Sequence, residues 1–126
     1  DPNNKKAAAR RELASAEDKL AKKVNSSFDE CKSLRENQKY KESILACRVA
    51  LKEDPTNKEV KKFERSTLSE LRKEMKRLYE DSILEEHLGN IEAAKEKWQR
   101  IKEQDLPEDE YYEKATNKLK KYGIGI

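Results

Sequence analysis

The stretch YKESILACRVALKEDPTN, Tyr40 to Asn57, reads as one amphipathic helix with a stop signal at its end. Tyr40, Ile44, Cys47, Ala50 and Leu51 recur at the spacing that places them on one face of a 3.6-residue helix. Asp54-Pro55 closes it, because the residue before a proline is pushed out of the α region. The segments on either side read as further helices packed around this one.

Upstream, Asp1-Pro2-Asn3-Asn4 is a helix lead-in in which either Asn can cap. Leu13, Ala16, Leu20 and Val24 then share one face, and Ala7 to Ala9 add helix propensity. Asn25-Ser26-Ser27 is the one soft point, since Ser27 with Glu30 forms a capping-box pattern that could start a new helix. Leu20, Val24, Phe28 and Cys31 nevertheless keep register across it, which favours one helix to about Asn37. Glu36 to Lys39 is then a turn short enough to force an antiparallel hairpin.

Downstream, Thr56 with Glu59 is a second capping-box pattern. From Asn57 the chain has no Gly or Pro until Gly89, a helix of about 30 residues and roughly 45 Å. Val60, Phe63, Leu68, Leu71, Met75, Leu78 and Ser82 trace a narrow seam along it at near-heptad spacing. Gly89 is placed as a C-terminal cap, and Asn90 can open a fourth helix carrying Ile91, Ala94, Trp98 and Ile101. Asp105-Leu106-Pro107 stops that helix, with Pro107 expected as the first residue of a fifth. Leu106, Tyr111, Ala115, Leu119 and Tyr122 give the fifth its stripe, and Gly123 ends it.

Composition agrees with an almost purely helical, thin domain. Charged residues are 44% of the 126 and apolar ones 34%, yet the net charge is only +3, with three Pro and three Gly. Disordered chains favour large net charge and many Pro and Gly, whereas this mixture suits solvated helices. Lys and Arg alternate with Glu, so the field cancels over most of the chain. Two basic clusters stand out: Lys5, Lys6, Arg10 and Arg11 near the start, and Lys118, Lys120 and Lys121 near the end. The bland reading of the second is a helix C-terminus that favours cations.

Cys31 and Cys47 lack metal-type spacing, so free buried thiols are the expectation; a disulfide, implying an oxidising compartment, is the alternative. Free thiols fit a cytoplasmic location. No apolar run is long enough to insert in a membrane. The chain begins without Met and reads as a fragment, so a signal peptide or membrane tether upstream stays open.

Set beside each other, the second and fourth helices form a weak repeat. Asn37 to Ile44 with Cys47, Ala50, Leu51 and Pro55 answers to Leu88 to Ala94 with Trp98, Ile101 and Pro107. This resembles the second half of a tetratricopeptide repeat. Ser43 and Ala94 are the small residues where two helices approach, and Cys47 or Trp98 fills the next turn. Two departures stand: Tyr40 and Ile91 are 51 positions apart where that family repeats at about 34, and the first helices lack its Trp, Leu and Gly marks. Phe28, Cys31 and Leu34 only approximate those marks.

The resemblance implies an all-α fold of antiparallel helical hairpins in an elongated right-handed superhelix of about five helices. Its parts are an N-terminal helix (1–26), a first hairpin (27–56), a second with an extended first helix (57–106), a capping helix (107–122) and a tail (123–126). It further implies a non-catalytic interaction module binding a peptide or partner protein on the first helices of the hairpins. That face would present Asn25, Phe28, Lys32 and Arg35 from one repeat and Lys76, Tyr79, Ile83 and Glu86 from the other. Its basic and aromatic half suits an acidic or amphipathic partner. The Lys-Asn-Asn-Lys-Arg set with which some relatives clamp a C-terminal carboxylate is missing, which disfavours chaperone-tail binding.

Other chemistry is thin. His87 is the only histidine, the glycines form no phosphate loop, and Glu108-Asp109-Glu110 falls where a helix start favours negative charge anyway. No enzymatic activity, cofactor or metal is expected. The seam motivates a second reading, a homo-oligomerising or stalk element. Nucleic-acid or anionic-lipid binding ranks third, because no aromatic stacking platform accompanies the basic clusters.

Overall fold

The computed structural model describes the backbone of residues 2–124 and the side chains of residues 16–124. Among these it contains five α-helices and no strand: α1 (Pro2–Glu36), α2 (Tyr40–Glu53), α3 (Lys58–His87), α4 (Ile91–Gln104) and α5 (Glu110–Lys121). The fold is all-α, as expected. The expectations for Leu13, for the Asn3 or Asn4 cap and for the first basic cluster fall on side chains outside those described. Two compact units divide the chain, Asp1–Gln38 with Glu42–Glu64, and Lys39–Lys41 with Arg65–Ile126. The division falls inside α3.

In the first unit α1 runs unbroken through Asn25–Ser27, as its register favours. It ends on Gln38, whose φ of 60° is left-handed without glycine. The Gln38 N–H donates to the Arg35 carbonyl at 2.9 Å. Val24, Phe28, Cys31, Ala46, Cys47, Ala50 and Val60 are buried together, with Leu34, Leu51 and Phe63 packed against them. Leu20 is 42% exposed and Ala16 is exposed, so the buried stripe starts at Val24 and not further up the helix. The reason is length. At 14 residues against 35, α2 can cover only the last part of α1.

Cys31 and Cys47 form a disulfide, with Sγ–Sγ 2.11 Å and Cα–Cα 5.3 Å. The expected free thiols are therefore corrected, and the ground for a cytoplasmic location goes with them. Ser43 permits the close approach: it is fully buried, and its hydroxyl donates to the Cys31 carbonyl at 2.7 Å. The next cap also differs from expectation. Asn57, not Thr56, accepts the Val60 N–H at 3.1 Å, because Asn57 stands directly before Lys58 and so has Val60 as its third helical residue.

The second unit comprises α3 from Arg65 onward, α4 and α5. Leu71, Met75, Ala94, Trp98, Ile101, Leu106, Ala115 and Leu119 are buried, and the Trp98 and Tyr122 rings stack at 5.6 Å. Gly89, at φ 82°, supplies the left-handed residue after α3, and the Asn90 N–H reaches back to the Glu85 carbonyl at 2.9 Å. The Asn90 side chain does not cap α4; it donates to Glu85 Oε2 at 2.9 Å.

Pro107 is not the start of α5. The Asp109 N–H donates to the Leu106 carbonyl at 3.0 Å, closing a turn with Pro107 at its second position, where proline's fixed φ is favoured. Asp109 then caps the helix, accepting the Tyr111 N–H at 3.4 Å. Of the α3 seam, Val60, Leu71, Met75 and Ser82 are buried and Phe63, Leu68 and Leu78 half-buried within this single chain.

Candidate partner-binding surfaces

On the first unit, the aromatic pair Phe28 and Phe63 meets edge to face, with centroids 5.6 Å apart. Phe28 is buried, so it supports this surface from beneath. The Lys32 ammonium lies 4.0 Å from the Phe28 centroid and the Arg35 guanidinium 5.0 Å from that of Phe63. Helical geometry explains the order. Residues 28, 32 and 35 share one face of α1, and Phe63 reaches it from α3. Each cation is thus held over a ring face by the ring's quadrupole. Asn25 is exposed one turn earlier and lines a separate cavity of about 240 Å³ with Leu20, Val24, Asp54 and Asn57.

On the second unit, Lys76 lines a groove of about 580 Å³ between α3 and the start of α5, together with Arg65, Leu68, Arg72, Lys73 and Tyr111. Tyr79 packs against Tyr111 at 5.8 Å, and the Lys114 ammonium sits 5.2 Å from the Tyr111 centroid. Lys76 and Tyr79 therefore share a neighbour. Ile83 is half-buried.

Glu86 is committed within the unit. It accepts from Lys118 Nζ and from the Tyr122 hydroxyl, each at 2.7 Å, and Lys121 lies at 3.6 Å. The Lys118 hydrogen bond, then that of Tyr122, hold its carboxyl down at about 2, and the same carboxylate pushes the Tyr122 phenol up. The C-terminal basic cluster thereby serves α5 internally through two of its three lysines. Glu85 is likewise lowered, first by Asn90 and then by Lys97, whose Nζ is 3.3 Å away.

One buried acid is unusual. Asp105 is fully buried, and burial raises its carboxyl from 3.8 to about 7, with the neighbouring Asp109 carboxyl pushing the same way. The Leu106 N–H donates to its Oδ1 at 2.9 Å and opposes the shift. Asp109 is in turn 3.4 Å from the Arg72 guanidinium, which ties α3 to the α5 cap. Among the described residues no group of three or more His, Cys, Asp or Glu could hold a metal ion, and no helix is long and apolar enough to cross a membrane. His87 is exposed at the end of α3.

Arg65, Arg72 and Lys73 were not singled out from the sequence, and Phe63 and Tyr111 were read there only as packing residues of their helices. One signal was there to find, since Arg65, Leu68, Arg72 and Lys76 follow i, i+3, i+7, i+11 spacing along one stripe. No family model matches the chain, and neither a curated protein nor a solved structure matches it.

Proposed function

We propose that this chain is a non-catalytic protein-interaction module, a tetratricopeptide-like scaffold that takes a peptide or partner protein carrying acidic groups. The observation that carries the reading is the pair of cations mounted over Phe28 and Phe63, with Lys32 and Arg35 pre-positioned on a helical face. Holding a long side chain before binding removes part of the ordering cost that docking would otherwise incur. Ser43 and Ala94, both fully buried, support the likeness to the repeat, because each is small at the same place in its helix.

The oligomer or stalk reading has less behind it, because the α3 seam that motivated it is largely covered by this chain's own residues. The nucleic-acid reading has less behind it at the C-terminal cluster, where two of the three lysines, Lys118 and Lys121, face Glu86.

The test is affinity capture with the immobilised chain, comparing wild type with Lys32→Glu/Arg35→Glu. Proteins recovered by the wild type should be lost from the variant and should share acidic segments. Equal recovery on both would count against the reading.

A further inference from the structure

Resting on that reading, the geometry points to the α3–α5 groove of the second unit as the docking site for an acidic, amphipathic segment of a partner protein. The segment would lay carboxylates along Arg65, Lys73 and Lys76 and seat an apolar side chain on Leu68 and Tyr111.

Three observations carry this. The groove's charge is one-sided: Arg65, Arg72, Lys73 and Lys76 line it against a single carboxylate, Glu110, which lies 3.4 Å from Lys114 Nζ. Its cations also stay open to solvent. The Arg72 side chain is 69% exposed despite its contact with Asp109, and that of Lys73 is 73% exposed despite Glu70 at 3.7 Å. Arg65 and Lys76 are exposed as well. Finally, the groove is not purely polar, since Leu68 and Tyr111 are half-buried in its lining.

An acidic segment with an apolar anchor meets all three. Cations at the rim draw it in and set its orientation, and the apolar seat excludes water beneath it. The stripe from Arg65 to Lys76 is roughly 16 Å long at the helical rise, the span of about five extended residues or three helical turns. A nucleic acid fits less well. Tyr111 is the single aromatic ring among the lining residues, too few for a run of stacked bases, and Leu68 beside it offers a seat for an apolar side chain rather than for phosphate or sugar.

The experiment titrates the whole chain into a fluorescein-labelled peptide of repeated Glu-Glu-Leu units and follows anisotropy at low and moderate salt. Wild type should bind, and Lys73→Glu/Lys76→Glu should bind about tenfold more weakly or worse, with an unchanged helical circular dichroism spectrum. The peptide with Gln in place of Glu, and a labelled single-stranded oligonucleotide of equal charge, should both bind at least about tenfold more weakly than the acidic peptide. Absence of binding by wild type, equal binding by the groove variant, or equal binding of either control ligand would overturn the assignment. If the groove variant binds normally while Lys32→Glu/Arg35→Glu still abolishes capture, the groove assignment falls and the interaction-module reading stands.

Discussion

The two units face the same shortage of apolar side chains and meet it differently. The first fills its core mainly with small groups, Cys31, Ala46, Cys47 and Ala50 among them, and closes it with a covalent bond between α1 and α2. The second has no cross-link among its described residues; it centres on Trp98 and clamps α5 to α3 through Glu86, Lys118 and Tyr122. A helix pair that can bury few large side chains gains from a constraint on its unfolded chain. One built on an indole gains more from the area it removes from water.

The sharpest way to break this contrast is Trp98→Ala, which empties the largest buried side chain and should cost about 3–5 kcal/mol. Urea titration followed by far-ultraviolet circular dichroism would read it, since the variant removes the only tryptophan. Removing the cross-link with Cys31→Ser/Cys47→Ser should cost about 3 kcal/mol, the value for a closed loop of this length. The same titration serves. A cost near zero would mean that the small core suffices alone.

Asp105→Asn sharpens the picture of the second unit. The folded carboxyl binds a proton more tightly than the unfolded one, so wild type loses stability as pH rises from about 4 through about 7. The variant should therefore be more stable than wild type at pH 8, by on the order of 2 kcal/mol, and lose the advantage near pH 4. Thermal melts at the two pH values measure the difference.

Glu86→Gln acts in the opposite sense. The depressed carboxyl contributes stability above its ordinary 4.5 that is lost as pH falls through about 2. The variant should cost about 1–2 kcal/mol at neutral pH and almost nothing near pH 2, in the same melts. Smallest is Gly89→Ala. No atom lies within 4 Å of the added methyl, so only the φ of 82° opposes it, and about 1 kcal/mol is expected from denaturant midpoints.

The helices were legible because their signals are local. Asp54-Pro55, Gly89 and Gly123 each stop a helix within the sequence that forms it, and the register across Asn25–Ser27 is visible in Leu20, Val24, Phe28 and Cys31. What required three dimensions was hidden. Nothing in a 16-residue separation distinguishes two thiols from a bond; the 5.3 Å approach that Ser43 allows does. Leu20 looks like core until α2 proves too short to cover it. Glu86 looked available for a partner, yet its own partners stand 32 and 36 residues away. The groove depends on Tyr111 reaching α3 beside Leu68, a contact between segments that no periodicity announces.

Native-state hydrogen exchange of the oxidised and the reduced chain tests the contrast most directly. Reduction should lower protection in the amides around Cys31 on α1 and in α2 while leaving those of α4 and α5 near their oxidised values. An equal loss of protection in α4 and α5, or no loss in α2, would contradict it.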